Sequence, residues 1–208
     1  MYKLYWCPDS GSFAPHVMLE ACAVPYERVL IDIRAGDQRK PEFLAVNPMG
    51  RVPAMGLPDG SVMTESAAIT LYLADRYPEV GLAPAPDESD RAPFLRWLFF
   101  MATGIYEADL RYYYADRYTE AAGSAAEVKA VAGRDLDRLW GLLAEALRPG
   151  PFLLGERFSA LDVYLLMLVS WYDPPETLLQ RHSSIARLCD LVRERPAVAR
   201  LWDEYQRS

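Results

Sequence analysis

The hydrophobic pattern of the chain changes near residue 80, and this change constrains the fold more than any other feature. Before it, strand-like runs at residues 2–6 and 26–33 enclose a helical face that begins at Ser12. This βαβ order needs a crossover connection, so it predicts that the two strands are parallel. Residues 78–90 then hold three prolines and one glycine, which is typical of a linker. The spacing beyond that linker is helical.

The rest of the first eighty residues adds two helices and a hairpin. A short helix is predicted near residues 42–46, and a longer one begins at Thr64 and ends near Tyr77. Between them, the turn sequence at residues 58–60 separates two short runs and predicts a β-hairpin. The later segments predicted as helices are 90–118, 125–147, 159–171, 175–180 and 184–195. The chain therefore combines an α/β part with an all-α part.

Charge and cysteine content exclude several classes of function. The 208 residues carry a net charge of -7 and no basic cluster, which argues against nucleic-acid binding. The longest apolar run, residues 163–169, is too short for a membrane span, and the N-terminus lacks a signal-peptide pattern. Three scattered cysteines indicate neither a disulfide framework nor a metal site, and His16 and His182 are too isolated to bind a metal. We expect a cytoplasmic protein without membrane contact.

The loop between the first strand and the first helix is the first candidate site. A hydroxyl at the helix start, such as that of Ser12, can donate to a thiolate and lower its pKa. Alternatively, Cys7 is itself a thiol of low pKa near that helix. The purely structural alternatives are an N-cap role for Ser12 and a buried core position for Cys7.

Two further segments can hold a peptide-like ligand. Pro53 heads a strand, and a cis bond there would leave the backbone of Val52 free to pair with an extended ligand, although trans is the commoner form. The helix start at Glu65 and Ser66 suits a ligand carboxylate, and Glu65 suits an ammonium group. Plain helix capping is the alternative for these two residues. Farther along, Ser159 begins a predicted capping box, which we interpret as structural.

The order of these features resembles the glutathione transferase superfamily over nearly the whole chain. The segments that carry the resemblance are 47–53 (NPMGRVP), 64–69 (TESAAI), 152–162 (FLLGERFSALD) and 193–198 (RERPAV). The resemblance implies a thioredoxin-like N-terminal domain over residues 1–80 and an all-helical C-terminal domain over residues 87–208. It also implies a homodimer and glutathione as co-substrate, with no other cofactor.

The resemblance assigns roles to particular residues. It implies that Pro53 is cis and that Val52 pairs with the cysteinyl part of glutathione. Glu65 and Ser66 would hold the γ-glutamyl end, and Arg51 the glycyl carboxylate. The helical domain would supply the site for the electrophile, for which the aromatic candidates are Tyr106, Tyr113 and Trp171.

The first loop departs from the bacterial beta class, which the chain otherwise resembles. Gly11 stands where that class has its cysteine, whereas Ser12 matches the neighbouring serine of the class. The class histidine and lysine on the long helix are replaced here by Tyr106 and Glu107. Theta-like and zeta-like members of the superfamily use a serine near the start of this loop. The resemblance therefore implies that Ser12 or Ser10, in that order, activates the thiol.

Three functions are compatible with these sequence features. The leading one is conjugation of the glutathione thiolate to small hydrophobic electrophiles, as in detoxification. The second is a glutathione-dependent thiol oxidoreductase that uses Cys7 as its nucleophile. The third is a non-catalytic member of the fold that binds an apolar ligand or a protein. Isomerase and dehalogenase activities with glutathione also remain open.

Overall fold

The N-terminal part of the chain builds a four-stranded mixed sheet. The structure is a computed structural model that describes residues 1–147 and 150–206. Its strands lie in the order β2-β1-β3-β4. Their bounds are Tyr2–Trp6 (β1), Tyr26–Leu30 (β2), Ala54–Gly56 (β3) and Val62–Thr64 (β4). β1 pairs with β2 in parallel and with β3 antiparallel, and β3 and β4 form the hairpin. The predicted parallel pair and the predicted hairpin are both confirmed.

The second strand is shorter than its sequence pattern predicts. The apolar run reaches Ile33, but β2 ends at Leu30. The carboxylate of Asp32 accepts hydrogen bonds from the backbone N–H groups of Arg34 and Ala35, both at 3.0 Å. This local turn competes with an extended backbone and bends the chain away from the sheet.

Helices cover the sheet and complete the first of two compact units, which comprises Met1–Glu88 and Asp190–Ser208. They are α1 (Phe13–Ala21), α2 (Pro41–Leu44), α3 (Ser66–Arg76) and α10 (Pro196–Tyr205). α1 packs against both α3 and α10. The hydrophobic spacing alone predicts no helix over the residues of α10. This unit has the thioredoxin-like fold that the family resemblance implied.

The second compact unit, Ser89–Cys189, is helical. Its helices are α4 (Arg91–Phe100), α5 (Tyr106–Tyr113), α6 (Ala125–Ala146), α7 (Ala160–Val169), α8 (Pro175–Arg181) and most of α9 (Ser183–Arg193). A π-helical turn at Met101–Ile105 joins α4 to α5. The single helix predicted over 90–118 is thus interrupted, and α5 ends where Tyr114 leaves helical geometry at φ -124°. Among the described residues, no helix has both the length and the apolar character of a membrane span.

The start of α7 has the predicted capping box. The backbone N–H of Leu161 donates to the Ser159 hydroxyl at 3.3 Å, and the Asp162 carboxylate accepts the Ser159 N–H at 2.7 Å. All ten residues of α7 are buried, so the two side chains satisfy donors that water cannot reach. The predicted domain bounds, which place residues 87–208 together, remain a prediction. Contacts in the structure group Asp190–Ser208 with the first unit.

Candidate functional site

The loop between β1 and α1 is held by serine hydroxyls. Ser12 is fully buried, and its hydroxyl contacts both the N–H and the carbonyl group of Cys7. It accepts from the Cys7 N–H at 3.3 Å and donates to the Cys7 carbonyl at 3.0 Å. Ser12 occupies the N-cap position of α1, but its side chain makes no capping hydrogen bond to that helix. The hydroxyl instead fixes the path of the loop.

Ser10 stands at the outer side of the same cluster. Its hydroxyl donates to the Cys7 carbonyl at 2.6 Å and lies 2.6 Å from the Ser12 hydroxyl. Ser10 keeps partial exposure to solvent, whereas Ser12 has none. The preceding Asp9 has a φ of 48°, in the left-handed region that few non-glycine residues adopt. The two serine hydroxyls are therefore in contact, but only Ser10 is accessible to a ligand.

A chain of polar contacts leads from the buried Ser12 toward the surface of the unit. The Tyr205 hydroxyl donates to the Ser12 hydroxyl at 3.2 Å and lies 3.1 Å from Nδ1 of His16. The other ring nitrogen of His16 lies 2.8 Å from the Tyr26 hydroxyl, which donates to the Glu20 carboxylate at 2.5 Å. Burial, with a smaller effect of the Arg28 charge, lowers the pKa of His16 to about 3 and keeps its ring neutral.

The buried thiol of Cys7 is poorly suited to ionise. Cys7 is only 7% exposed, and burial raises the pKa of its thiol. The charges of Asp32 and Asp9 raise it further, while a hydrogen bond from the Ile33 backbone opposes them. A buried thiol with this balance is a weak nucleophile at neutral pH.

The segment before β3 presents free backbone groups. The Val52–Pro53 peptide bond is cis, as the family resemblance implies. Val52 packs beside the apolar cluster of Ile31, Phe43 and Ala54. Among the described residues, its backbone N–H and C=O have no hydrogen-bond partner. These groups are spaced to pair with an extended peptide.

The loop that leads into this segment is tightly fixed. The buried Asn47 amide donates to the Arg51 carbonyl at 2.6 Å, and its oxygen accepts from the Met49 N–H at 3.1 Å. Gly50 has a φ of 60°, and a Cβ there would lie 2.9 Å from the Gln38 carbonyl. Only glycine fits this position without strain. The exposed Arg51 follows directly, so its backbone is held while its side chain is free to reach a ligand.

The start of α3 is strained in a manner typical of binding sites. Glu65 has φ 68° and ψ 110° and makes no side-chain capping bond. A non-glycine residue in this region carries a strain that persists mainly at functional positions. Ser66 is buried at the first position of α3. The alternative that Glu65 serves as an ordinary cap finds no support in this geometry.

The three aromatic residues predicted for the electrophile site are brought together in the helical unit. The rings of Tyr106 and Trp171 meet edge to face, with 4.9 Å between their centroids. The Tyr113 hydroxyl donates to the Trp171 carbonyl at 2.5 Å. Burial and the charges of Asp109 and Asp173 raise the pKa of Tyr113, so its hydroxyl stays protonated. Together they form a partly exposed aromatic group.

The sheet order, the cis proline before β3 and the helix start after β4 define a thioredoxin-like unit, here in a chain with a helical unit. The family described as glutathione S-transferase, N-terminal domain, matches residues 12–76. A solved glutathione transferase from Methylococcus capsulatus is 31% identical, with a TM-score of 0.85 over 99% of this chain and 98% of that chain. A glutathione transferase homologue from Sulfitobacter, solved with bound glutathione, is 29% identical, with a TM-score of 0.90 and 98% of both chains covered.

Two curated relatives agree with these structures. Glutathione S-transferase GstA of Escherichia coli O157:H7 is 28% identical over 94% of each chain. The disulfide-bond oxidoreductase YfcG of Escherichia coli K12 is 27% identical over 95% of this chain and 92% of the relative. The chain belongs to the glutathione S-transferase family, a family of enzymes.

Proposed function

We propose that the protein binds glutathione along β3 and transfers its thiolate to small hydrophobic electrophiles. The observation that carries the proposal is the unpaired backbone of Val52 beside cis-Pro53. Glutathione is peptide-like, and its cysteinyl part has one N–H and one C=O to exchange with such a backbone. The bound glutathione of the Sulfitobacter homologue supports the same ligand class.

The groups on either side of Val52 match the charged ends of glutathione. The N-terminal end of α3, at Ser66, favours a carboxylate through its N–H groups and the helix dipole. Glu65, one residue earlier, pairs with the adjacent ammonium group of the γ-glutamyl end. Arg51 is exposed on the other side of Val52 and is the candidate for the glycyl carboxylate.

The serine cluster provides a way to activate the thiol. A free thiol has a pKa of about 8.5 and is mostly protonated at neutral pH. Ser10 and Ser12 both donate to the Cys7 carbonyl, at 2.6 Å and 3.0 Å. Ser10 can therefore turn its proton to a ligand sulfur while Ser12 keeps the carbonyl satisfied. This arrangement favours Ser10 as the residue that contacts the thiolate and Ser12 as its positioning residue, the reverse of the order predicted from sequence.

The aromatic group of Tyr106, Tyr113 and Trp171 is the proposed surface for the electrophile. Flat rings with an edge-to-face contact offer apolar area to an aromatic or alkyl substrate. A homodimeric state and a cytoplasmic location stay predictions, and sedimentation of the purified protein tests the first.

Disulfide exchange through Cys7 is the competing reaction. The similarity of the chain to the disulfide-bond oxidoreductase YfcG supports it as the second candidate. It needs a thiolate at Cys7, and the burial of that thiol opposes one. A Cys7→Ser variant separates the reactions. Conjugation through Ser10 is expected to survive this change, whereas an exchange reaction that uses Cys7 is expected to disappear.

The deciding experiment is an ultraviolet difference titration of the thiolate band with glutathione across pH. We expect the bound thiol to ionise well below its free pKa, and Ser10→Ala to return the pKa toward about 8.5. Ser61→Ala, at an exposed serine of the same unit, is the matched control. If Ser10→Ala leaves the bound pKa unchanged, the activation mechanism is wrong. If glutathione does not bind at all, the site itself is wrong.

A further inference from the structure

A cavity of about 180 Å³ in the helical unit is partly open to solvent, and none of the residues that line it is assigned to glutathione. α5, α6 and α8 and residues 172–173 form its walls. Tyr113 contributes to the lining, but Tyr106 and Trp171 do not. The volume slightly exceeds that of an engineered apolar cavity of about 150 Å³ that holds benzene. A compact molecule with one ring therefore fits.

The side chain of Asp109 distinguishes this cavity from a packing defect. Asp109 on α5 is only 4% exposed and lines the cavity. One of its carboxylate oxygens, Oδ2, has no hydrogen-bond partner among the described residues. A buried carboxyl oxygen without a partner is costly, so it calls for a specific cause such as a bound water, ion or ligand.

The other charged side chains that line the cavity carry a net negative charge. Arg181 on α8 forms an ion pair with Asp137 on α6, so neither is available to Asp109. Asp173 adds a further carboxylate to the lining. With Asp109 ionised, a positive charge is the complement that the lining lacks.

Tyrosine rings supply the remaining wall. Tyr112, Tyr113 and Tyr172 all line the cavity. The ring of Tyr112 already holds the Lys129 ammonium 4.5 Å from its centroid, which shows that a ring in this region accepts a cation. Aromatic faces combined with a carboxylate are the usual means by which proteins recognise organic ammonium groups.

We propose that this cavity, which shares no lining residue with the proposed glutathione site, is a binding site for a small organic ammonium ion. The ammonium group pairs with Asp109 and faces Asp173, and the hydrocarbon part contacts the tyrosine rings. The proposal does not depend on the proposed transferase reaction, and it concerns binding alone.

Benzylamine is the first probe, because it combines one ring with one ammonium group. Its binding is measured by isothermal titration calorimetry at pH 8 and compared with neutral benzyl alcohol and anionic benzoate. We expect benzylamine to bind at least about tenfold more tightly than either comparison compound. Equal binding of benzylamine and benzyl alcohol, or no binding of benzylamine, overturns the proposal.

Two pairs of variants locate the ligand. Asp109→Asn is expected to weaken benzylamine binding at least about tenfold, whereas Asp116→Asn, at an exposed aspartate of the same unit, is expected to leave it unchanged. Gly133→Leu puts a side chain into the cavity wall, where a Cβ meets Tyr112 at an ordinary 3.5 Å. Gly141→Leu on the same helix enters open space and is the control. If Gly133→Leu binds benzylamine as the parent does, the ligand lies elsewhere and the proposal fails.

Proton release gives an independent readout. Burial raises the pKa of Asp109 to about 8, so its carboxyl is largely protonated at pH 6. The titratable and charged groups that face it are Tyr112, Tyr113, Asp137, Tyr172, Asp173 and Arg181. Binding of an ammonium ion at pH 6 should release close to one proton, measured by calorimetry in buffers of different ionisation enthalpy, and Asp109→Asn should abolish the release. Binding without proton release contradicts an ion pair with Asp109.

Discussion

Replacement of Tyr205 by phenylalanine tests whether the buried hydrogen-bond chain supports the serine cluster. Tyr205 lies on α10, 193 residues from Ser12, and is 2% exposed. Its hydroxyl lies 3.2 Å from the Ser12 hydroxyl and 3.1 Å from Nδ1 of His16. Phenylalanine keeps the ring contacts with Trp6 and Phe13 and removes only the oxygen.

The magnitude follows from the two partners that lose a hydrogen bond. A net hydrogen bond contributes about 0.5–1.5 kcal/mol, and a buried polar group left unsatisfied costs about 1–3 kcal/mol. Ser12 keeps its bonds to Cys7, so most of the loss falls on His16. We therefore expect Tyr205→Phe to lower the free energy of unfolding by roughly 1–3 kcal/mol.

The assay is urea denaturation of both proteins, with the stability taken from the midpoint and slope. Tyr118→Phe, at an exposed tyrosine of the helical unit, is the control and should change stability by less than about 0.5 kcal/mol. A Tyr205→Phe variant as stable as the parent would refute the view that this hydroxyl is needed by buried partners. The pKa of the thiol of bound glutathione should rise less in Tyr205→Phe than in Ser10→Ala, because Tyr205 acts on the thiol only through Ser12.

Three further predictions follow from single positions. Gly50→Ala places a Cβ 2.9 Å from the Gln38 carbonyl at a positive φ, and it should weaken glutathione binding measured by calorimetry. Gly36→Ala is the control, because Gly36 also has a positive φ but has open space around it. The control shows how much of the effect comes from backbone strain and how much from the close contact. Ser159→Ala should cost about 1–2 kcal/mol of stability in urea denaturation, because the capping box is buried, and an unchanged midpoint would contradict this. Asp109 has a pKa raised to about 8 by burial, so the folded state holds a proton that the unfolded state loses above about pH 4. Stability should therefore fall by about 1.4 kcal/mol for each pH unit between about pH 4 and 8, and Asp109→Asn should remove that part of the slope in thermal unfolding at a series of pH values.

Much of the fold was predictable because its signals are local. The β1 and β2 runs, the turn before β4 and the capping box at Ser159 each depend on residues close together in sequence. The errors have local causes as well. Asp32 ended β2 early through its own backbone contacts, and Tyr114 ended a helix whose hydrophobic spacing continues.

The candidate site was predictable only in outline. Motif order pointed to Val52, Pro53, Glu65 and Ser66. The structure shows unpaired backbone groups at Val52, a cis bond at Pro53 and a strained φ at Glu65. The choice between Ser10 and Ser12 depends on which hydroxyl is enclosed, and sequence spacing does not report burial. Cys7 likewise shows as a candidate nucleophile in the sequence, but its surroundings disfavour the thiolate.

The sequence by itself determined the α/β start, the helical remainder and membership of the glutathione S-transferase family, because periodicity and motif order are properties of the chain. The tertiary structure alone decided how Tyr205 and His16 meet Ser12. It alone showed that Asp109 is buried without a partner for Oδ2. These features depend on packing between residues far apart along the chain, and burial sets the protonation of each group only once that packing has formed.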